Sequence, residues 1–410
     1  MMTAVEWLSI TAVFLVAISI LPGTLGILML TNKIAVSESG ARYIYGKAFW
    51  VAGISAALIL VATFLSVQHG RFFSLAFMMA AVVYVGILIF GFFMHTKLMF
   101  KPVKQPKYTT VDEAIGKFGL DEEVVGVIDA NGKAWAYIAR LARRPHIVYQ
   151  PVGDAPFMMT HCILAHSSMA YQLDDKFRQP DITVTAALAN NLVFYDRTSQ
   201  CSIIQLHNGS LDRSLPLKTA PTVTCSLAAW RQLYPDSPVW YRDREWRDIF
   251  YLKLLARADV IDPDSPTIVY PLQHEHDRRL PMKSFVLGVQ IGEQILSYPI
   301  SIFEDRSVLE DELAGVQLVI LSAFDSDFVN IYDREIDGRT LSFDAIGENR
   351  FADRETGSEW AATGECISGE LEGRHLSPIP HYNKVFWYVW ADYHPGTPIY
   401  EQHDVSIATA

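Results

Sequence analysis

Imidazoles and a thiol gather in one stretch of this 410-residue chain: His146, His161, Cys162 and His166. Thiolate and imidazole together suit zinc or copper. Along an extended strand side chains alternate between faces, so Cys162 and His166 share one face and His161 takes the other. The metal set this yields is His146, Cys162 and His166. The competing account is a set of packed, hydrogen-bonded histidines in an apolar strand, and a closed site's demand for four ligands favours it. A second group, His274-Glu275-His276-Asp277 followed by Arg278-Arg279, contains a His-x-His chelate. Pro271 and Pro281 bracket that run, which reads as a solvated loop.

Two Asp-Arg pairs, Asp196-Arg197 and Asp353-Arg354, could take an anionic group, because guanidinium matches carboxylate or phosphate. The plainer account has each aspartate orienting turn amides and each arginine paired nearby. No Ser-His-Asp elbow, phosphate-cradling glycine loop or dinucleotide glycine pattern occurs. Cys162, Cys201, Cys225 and Cys366 form no C-x-x-C and read as buried or free thiols.

These residues must be positioned by elements that are mostly strands. Val124–Ile138 alternates apolar residues around Asn131-Gly132, a strong hairpin signal. Phe157–Leu173 reads as one long apolar strand, followed by strands at Ile182–Leu188 and Asn191–Arg197. A similar order recurs in Ser284–Ile300, Val316–Phe324 and Val329–Phe343, with Asp337-Gly338 as another hairpin turn. Helix is expected in Val111–Gly119, Glu245–Ala258 and near Trp387–Trp390. The recurrence has a fixed offset. Trp230, Pro235 and Pro238 meet Trp390, Pro395 and Pro398 at a separation of 160 residues, and Gly209 and Leu211 meet Gly369 and Leu371 at the same separation. A period this long points to a duplicated domain, since solenoid repeats run to roughly 20–50 residues.

Three apolar stretches without charge, Trp7–Leu30, Phe49–Val67 and Phe73–Met94, are each near the ~20 residues that cross a hydrocarbon core. The start, MMTAVEW, lacks the basic residues of a signal peptide. Up to Lys107 there are eight Lys/Arg and two Asp/Glu, which leaves 26 basic (34 less 8) and 43 acidic (45 less 2) residues beyond. So acidic a region repels phosphate backbones, and nucleic acid is not expected as a partner. Lys33, Arg42, Lys47, Lys97, Lys101, Lys104 and Lys107 fall on one side of the three spans and Arg71 alone on the other. The positive-inside rule then places the soluble region in the cytoplasm, behind a multi-pass anchor in the bacterial inner membrane.

The chain after the spans resembles the bacterial and archaeal domain of unknown function 3179, in two copies at Val111–Trp240 and Pro263–Tyr400. The resemblance rests on Asp353–Trp360 (DRETGSEW), SGELEGRHL, Trp387, Trp390 and His394-Pro395 in the second copy. In the first it rests on Asn131-Gly132, His146, Thr160, Cys162 and Tyr195-Asp196-Arg197. The family's motif resembling T-Y-C-P-L-C carries two cysteines. Here the second position is Ala165, and the second copy reads Ala323-Phe324-Asp325-Ser326, so an intramolecular redox role is lost. Relatives with export signals imply an extracytoplasmic soluble region as the alternative placement.

The expected architecture is three transmembrane helices with a basic tail (1–108), a first β-rich domain (109–241), a helical linker (242–262) and a second β-rich domain (263–410). Each β-rich domain is sandwich- or barrel-like. The expected function is a non-catalytic binding or assembly module with the lipid bilayer and a protein as partners. The alternative is a zinc- or copper-dependent enzyme or metal-binding protein using His146, Cys162 and His166.

Overall fold

A computed structural model describes residues 3–25, 32–70, 74–151, 153–174, 177–254 and 258–400. Residues 26–30 of the first apolar stretch, Arg71 and Phe73 lie outside the described residues. Three apolar helices come first and a β-rich region of several sheets follows. The chain forms two compact units, one of Met1–Val103, Arg144–Ile147 and Leu173–Leu217, the other of the remainder.

In the first unit, helices at Ala4–Leu25, Glu38–Gln68 and Leu75–Met94 have mean hydropathies of 2.2, 2.3 and 2.5, long and apolar enough to cross a membrane. Most exposed large apolar side chains sit on them, among them Trp50, Leu60, Phe64, Leu75 and Val82. Many of the residues they bury are small, Ser9, Ala12, Ser19 and Gly23 on the first, Ser55, Ala62 and Ser66 on the second, Ala80 and Gly91 on the third, and between these pack Val5, Val16, Phe77, Tyr84 and Met94. Small residues let apolar helices approach closely where no hydrophobic force separates helix from surroundings. Ser55 Oγ donates across that seam to the Ala12 carbonyl at 2.8 Å. The same unit holds an antiparallel four-stranded meander of Ile182–Leu188, Asn191–Asp196, Cys201–Ile204 and Gly209–Ser210.

The second unit shows one strand order twice. In the first half the order is Val239–Tyr241, Ala134–Ile138, Glu123–Ile128, Thr222–Ser226, with Lys107–Thr109 outermost. In the second, Gln294–Pro299, Phe285–Ile291 and His381–Phe386 follow the same order, and Ile399 bridges Ser297 in parallel as Val239–Tyr241 runs parallel to Ala134–Ile138. The sheet Ile147–Gln150, Phe157–Cys162, Ser167–Gln172, Thr219–Ala220 has its counterpart in Val308–Leu313, Val316–Ala323, Phe328–Asp333, Ser377–Pro378. The first unit's meander has a counterpart in Phe343–Gly347, Arg350–Asp353, Glu359–Ala361, Cys366–Ser368.

The two tryptophans of the sequence repeat hold corresponding places. Ser226 caps the helix Leu227–Leu233 by accepting from Ala229 N, and that helix lays Trp230 on Gly126. The helix Trp387–Tyr393 lays Trp390 on Gly288. Both indoles are fully buried, and each Nε1 donates to a serine hydroxyl, Trp230 to Ser237 at 2.6 Å and Trp390 to Ser297 at 2.8 Å. A methyl group at either glycine would collide with the ring above it.

Two expectations change. Phe157–Leu173 is a hairpin, two strands joined by the turn Ile163–His166, not one strand. The turn contains no Gly, Pro, Asn or Asp, so it carries no local signal. It is held by bonds from far along the chain: Phe386 N and Tyr388 Oη donate to the carbonyls of Ala165 and Leu164 at 2.9 and 2.7 Å. The Asp337-Gly338 hairpin forms, with positive φ at both residues as a two-residue turn requires. It is, however, an added ribbon. The turn that corresponds to Asn131-Gly132 is the one at Gly292.

Gly126→Ala and Gly288→Ala should each lower stability by about 1–3 kcal/mol through overpacking. Gly116→Ala, in the helix Val111–Phe118 with open space around it, should be neutral or stabilising by up to about 1 kcal/mol. Urea unfolding of the detergent-solubilised protein, followed by tryptophan fluorescence, separates these outcomes. Equal midpoints for all three variants would refute the packing account.

Candidate functional site

The turn Ile163–His166 forms one wall of a cavity of about 380 Å³ in the second unit. It is lined by Asp121, Glu122, Glu123, Arg140, Arg143, His161, Ile163, His166, Ile261, Pro263 and Phe285. The elements that supply these residues are short and locally specified. Glu123 opens the strand Glu123–Ile128, and Arg140 and Arg143 lie in and just after the one-turn helix Ala139–Ala142. The apolar wall is pinned by Lys283, a buried lysine whose ammonium donates to the carbonyls of Asp259, Val260 and Asp262 at 3.2, 2.8 and 2.9 Å. Three donors meeting three orphan carbonyls at a helix end hold Ile261 and Pro263 in place.

His166 is the centre of the polar network. Its Nδ1 lies 3.0 Å from the Lys384 carbonyl and its Nε2 3.2 Å from Glu123 Oε2. A carbonyl only accepts, so Nδ1 carries a proton. Nε2 then meets the carboxylate as a donor only if the ring is imidazolium. Burial works against ionisation of Glu123, but His166, His161 and Lys384 outweigh it and bring its pKa to about 2. Burial likewise opposes the charge on His166, and Glu123 with the Lys384 carbonyl raises its pKa above the usual imidazole value. The ring packs on Phe285 and Phe386, with centroids 4.8 and 5.5 Å away, and those two phenyl rings stack at 5.2 Å. Aromatic faces favour the cationic form.

Lys384 is able to serve His166 because of a backbone irregularity. Asn383 and Lys384 together oppose the single residue Leu287, a β-bulge, and Lys384 has a φ of 51°. A bulge re-aims the residues it contains. Here it turns the Lys384 carbonyl to His166 while Nζ donates to the Asp327 carbonyl at 2.7 Å. Asp327 occupies the place in the turn Phe324–Asp327 that His166 occupies in Ile163–His166, and its Oδ2 accepts from Ser226 N at 2.9 Å. The half with histidine borders the cavity; the half with aspartate closes on a backbone amide.

The remaining cavity charges are unequally satisfied. Arg140 Nε lies 2.8 Å from Glu122 Oε2, and its guanidinium covers the Phe118 ring. His161 is buried with Nδ1 2.9 Å from Ser168 Oγ. Its ring centroid is 6.4 Å from that of His166. Arg143 makes no hydrogen bond or ion pair among the described residues; burial lowers its pKa.

The residues singled out in the sequence are therefore distributed differently from the strand-parity argument. The strand ends at Cys162, and His166 sits beyond it in the turn with a φ of 49°. Alternation does not extend to it, and its ring neighbour is His161. Cys162 is buried in the field of Tyr270, Tyr388 and Tyr393. His146 belongs to the first unit, 4.9 Å from the Phe100 ring. Both ring nitrogens of His166 are engaged, and no group of three or more His, Cys, Asp or Glu able to hold a metal ion occurs among the described residues. Burial raises the pKa of Cys201, Cys225 and Cys366, and no disulfide joins any of the four cysteines.

Each Asp-Arg pair lies where a strand ends and a turn begins. Asp196 accepts from the amides of Asp181, Thr198 and Ser199 at 2.9, 3.0 and 3.0 Å, and Arg197 pairs with Asp181. Asp353 accepts from Thr356 N at 2.6 Å and Trp360 Nε1 at 2.8 Å, and Arg354 pairs with Asp344. His274 bonds Asp392 and Asp277 pairs with Arg279. Glu123, Arg143 and His161 were missed as a group. The one available signal was the run Arg140-Leu141-Ala142-Arg143-Arg144, basic residues in an otherwise acidic region.

The Glu123–His166 pair sets a pH window. Glu123 is lowered from 4.5, so its contribution exists above about pH 4.5 and is lost as pH falls towards about 2. His166 is raised from 6.5, so its contribution is complete below about pH 6.5 and is lost as pH rises through the raised value. Glu123 keeps 38% of its side chain exposed, and screening discounts the pair to about 1–2 kcal/mol. Unfolding free energies of wild type and Glu123→Gln should differ most between about pH 4.5 and 6.5 and converge on the alkaline side. The groups facing the pair are His161, Lys384, Asp327 and Arg143, all retained in that variant. A constant difference up to pH ~9, well beyond the imidazole range, would exclude the imidazolium assignment.

One family model, described as a protein of unknown function (DUF3179), matches residues 101–397. No curated protein and no solved structure matches. The match is a single one that runs through both halves. The sheets, the turn Ile163–His166 and the cavity beside it all lie within that span, and the chain belongs to the DUF3179 family of proteins of unknown function.

Proposed function

We propose that this protein is a membrane-anchored binding protein whose family domain arose by internal duplication and kept one ligand pocket, beside the turn Ile163–His166. The observation that carries this reading is the cavity of about 380 Å³, which joins an apolar wall of Ile163, Ile261, Pro263 and Phe285 to charged groups. That size and mixture are those of small-molecule sites. Duplication is supported by the repeated strand orders and by the matched Trp-on-Gly contacts. Binding is favoured over catalysis because the histidine best placed for proton transfer has both nitrogens committed. A wider cleft of about 620 Å³ between Glu293–Leu296 and Tyr393–Pro398 has no comparable cluster of charged side chains.

The three apolar helices supply the anchor in this reading, with the lipid bilayer as one partner and a protein as another. Seven Lys/Arg against Arg71 orient the soluble region to the cytoplasm.

Two measurements test these points. Ile163→Trp fills the pocket, so ligands found by thermal-shift screening of the wild type should lose their effect in this variant while its unfolding stays cooperative. Ligands that stabilise both proteins equally would place the site elsewhere, and near-stoichiometric zinc or copper that disappears in Cys162→Ala would favour metal chemistry instead. For orientation, alkaline phosphatase fused after Tyr400 should be inactive, and fused after Arg71 active. The reverse pattern places the domain outside.

A further inference from the structure

Most of the cavity's charges have protein partners, and the lining arginine that lacks one indicates what enters. Glu122 is taken by Arg140, and Glu123 by the His166 ring. Asp121 stands exposed at the rim, where water solvates it. His161 is committed to Ser168. Arg143 lines the same cavity, is half-buried, and engages none of its N–H donors among the described residues.

A guanidinium presents five donors in a rigid plane and is never neutral in a protein, and the Arg143 fork, which meets no protein acceptor among the described residues, stays open to one that a ligand brings. The nearest carboxylates do not supply one: Glu122 and Glu123 are within its field but are held by Arg140 and His166. The guanidinium fork matches two oxygens of a carboxylate or phosphate. Across the cavity, Ile163, Ile261, Pro263 and Phe285 present no donor or acceptor side chain and suit a short apolar body.

Resting on the pocket reading above, we propose that the cavity binds a small organic oxyanion, a carboxylate or phosphate on a short apolar body, with Arg143 as the fork that grips it. Glu123, tied to His166, is kept from competing for that fork.

The test uses the full chain in detergent, with benzoate and phenyl phosphate as anionic probes and benzylamine and benzyl alcohol as controls of similar shape. Calorimetric titration should give saturable binding of at least one anion and none of the controls. Arg143→Gln should weaken that binding about tenfold or more, Arg143→Lys less, because a lysine is a point charge without the fork. Arg143→Gln should unfold at the same or a higher temperature than wild type, which excludes misfolding as the cause of lost binding. Equal anion affinity in wild type and Arg143→Gln overturns the proposal, as does failure of both anions to bind. If benzylamine or benzyl alcohol binds instead and Ile163→Trp abolishes it, the pocket stands and the oxyanion is wrong. If no probe of any charge binds, the pocket reading falls with it.

Discussion

Two edge strands with half their amides unpaired are the constraint on which the second unit depends. Among the described residues, Thr222–Ser226 pairs only with Glu123–Ile128, and His381–Phe386 only with Phe285–Ile291. Each has an outer row of N–H groups that cannot stay buried without acceptors. The two halves satisfy one another. Thr224 N and Ser226 N donate to the side chains of Asn383 and Asp327 at 3.1 and 2.9 Å, and Phe386 N donates to the Ala165 carbonyl at 2.9 Å. Neither half completes its own edge, so neither is a finished domain by itself.

The exchange is unequal, and the candidate site follows from the inequality. Thr222–Ser226 runs in unbroken register, whereas His381–Phe386 contains an extra residue and bulges at Lys384. A residue such as lysine with positive φ costs roughly 1–3 kcal/mol of backbone strain. Two hydrogen bonds offset it, one from the His166 ring to its carbonyl and one from Nζ to Asp327. The bulge therefore ties together the two corresponding turns, one ending in histidine and one in aspartate. The histidine turn borders a cavity that receives the charges of Glu122, Glu123, Arg140 and Arg143.

The first unit follows a different pattern of burial. Its helices turn many large apolar side chains outward and bury several serines, alanines and glycines beside Val5, Val16, Phe77 and Tyr84 at their contacts. Small residues there permit close backbone approach, and hydroxyls such as Ser55 find carbonyl acceptors on a neighbouring helix.

The amino-acid sequence alone determined the features that local physics writes at a short or constant spacing. The three apolar helices were legible because length and hydropathy suffice. The helix capped at Thr110 was legible from its own residues, as was the turn at Asn131-Gly132. The Trp230 and Trp390 correspondence was legible as a constant offset, and the Asp196 and Asp353 turns as repeated Asp-Arg pairs. Tertiary structure decided what distant chain had to supply. The turn Ile163–His166 contains no turn-forming residue; it is bent by donors at Phe386 and Tyr388, more than two hundred positions away. That bend removed His166 from the face of Cys162 and set it beside His161, Glu123 and Lys384. Side-chain parity is a property of a strand, and a contact-imposed turn abolishes it, which is why the histidines were visible as chemistry in the sequence but their partners were not.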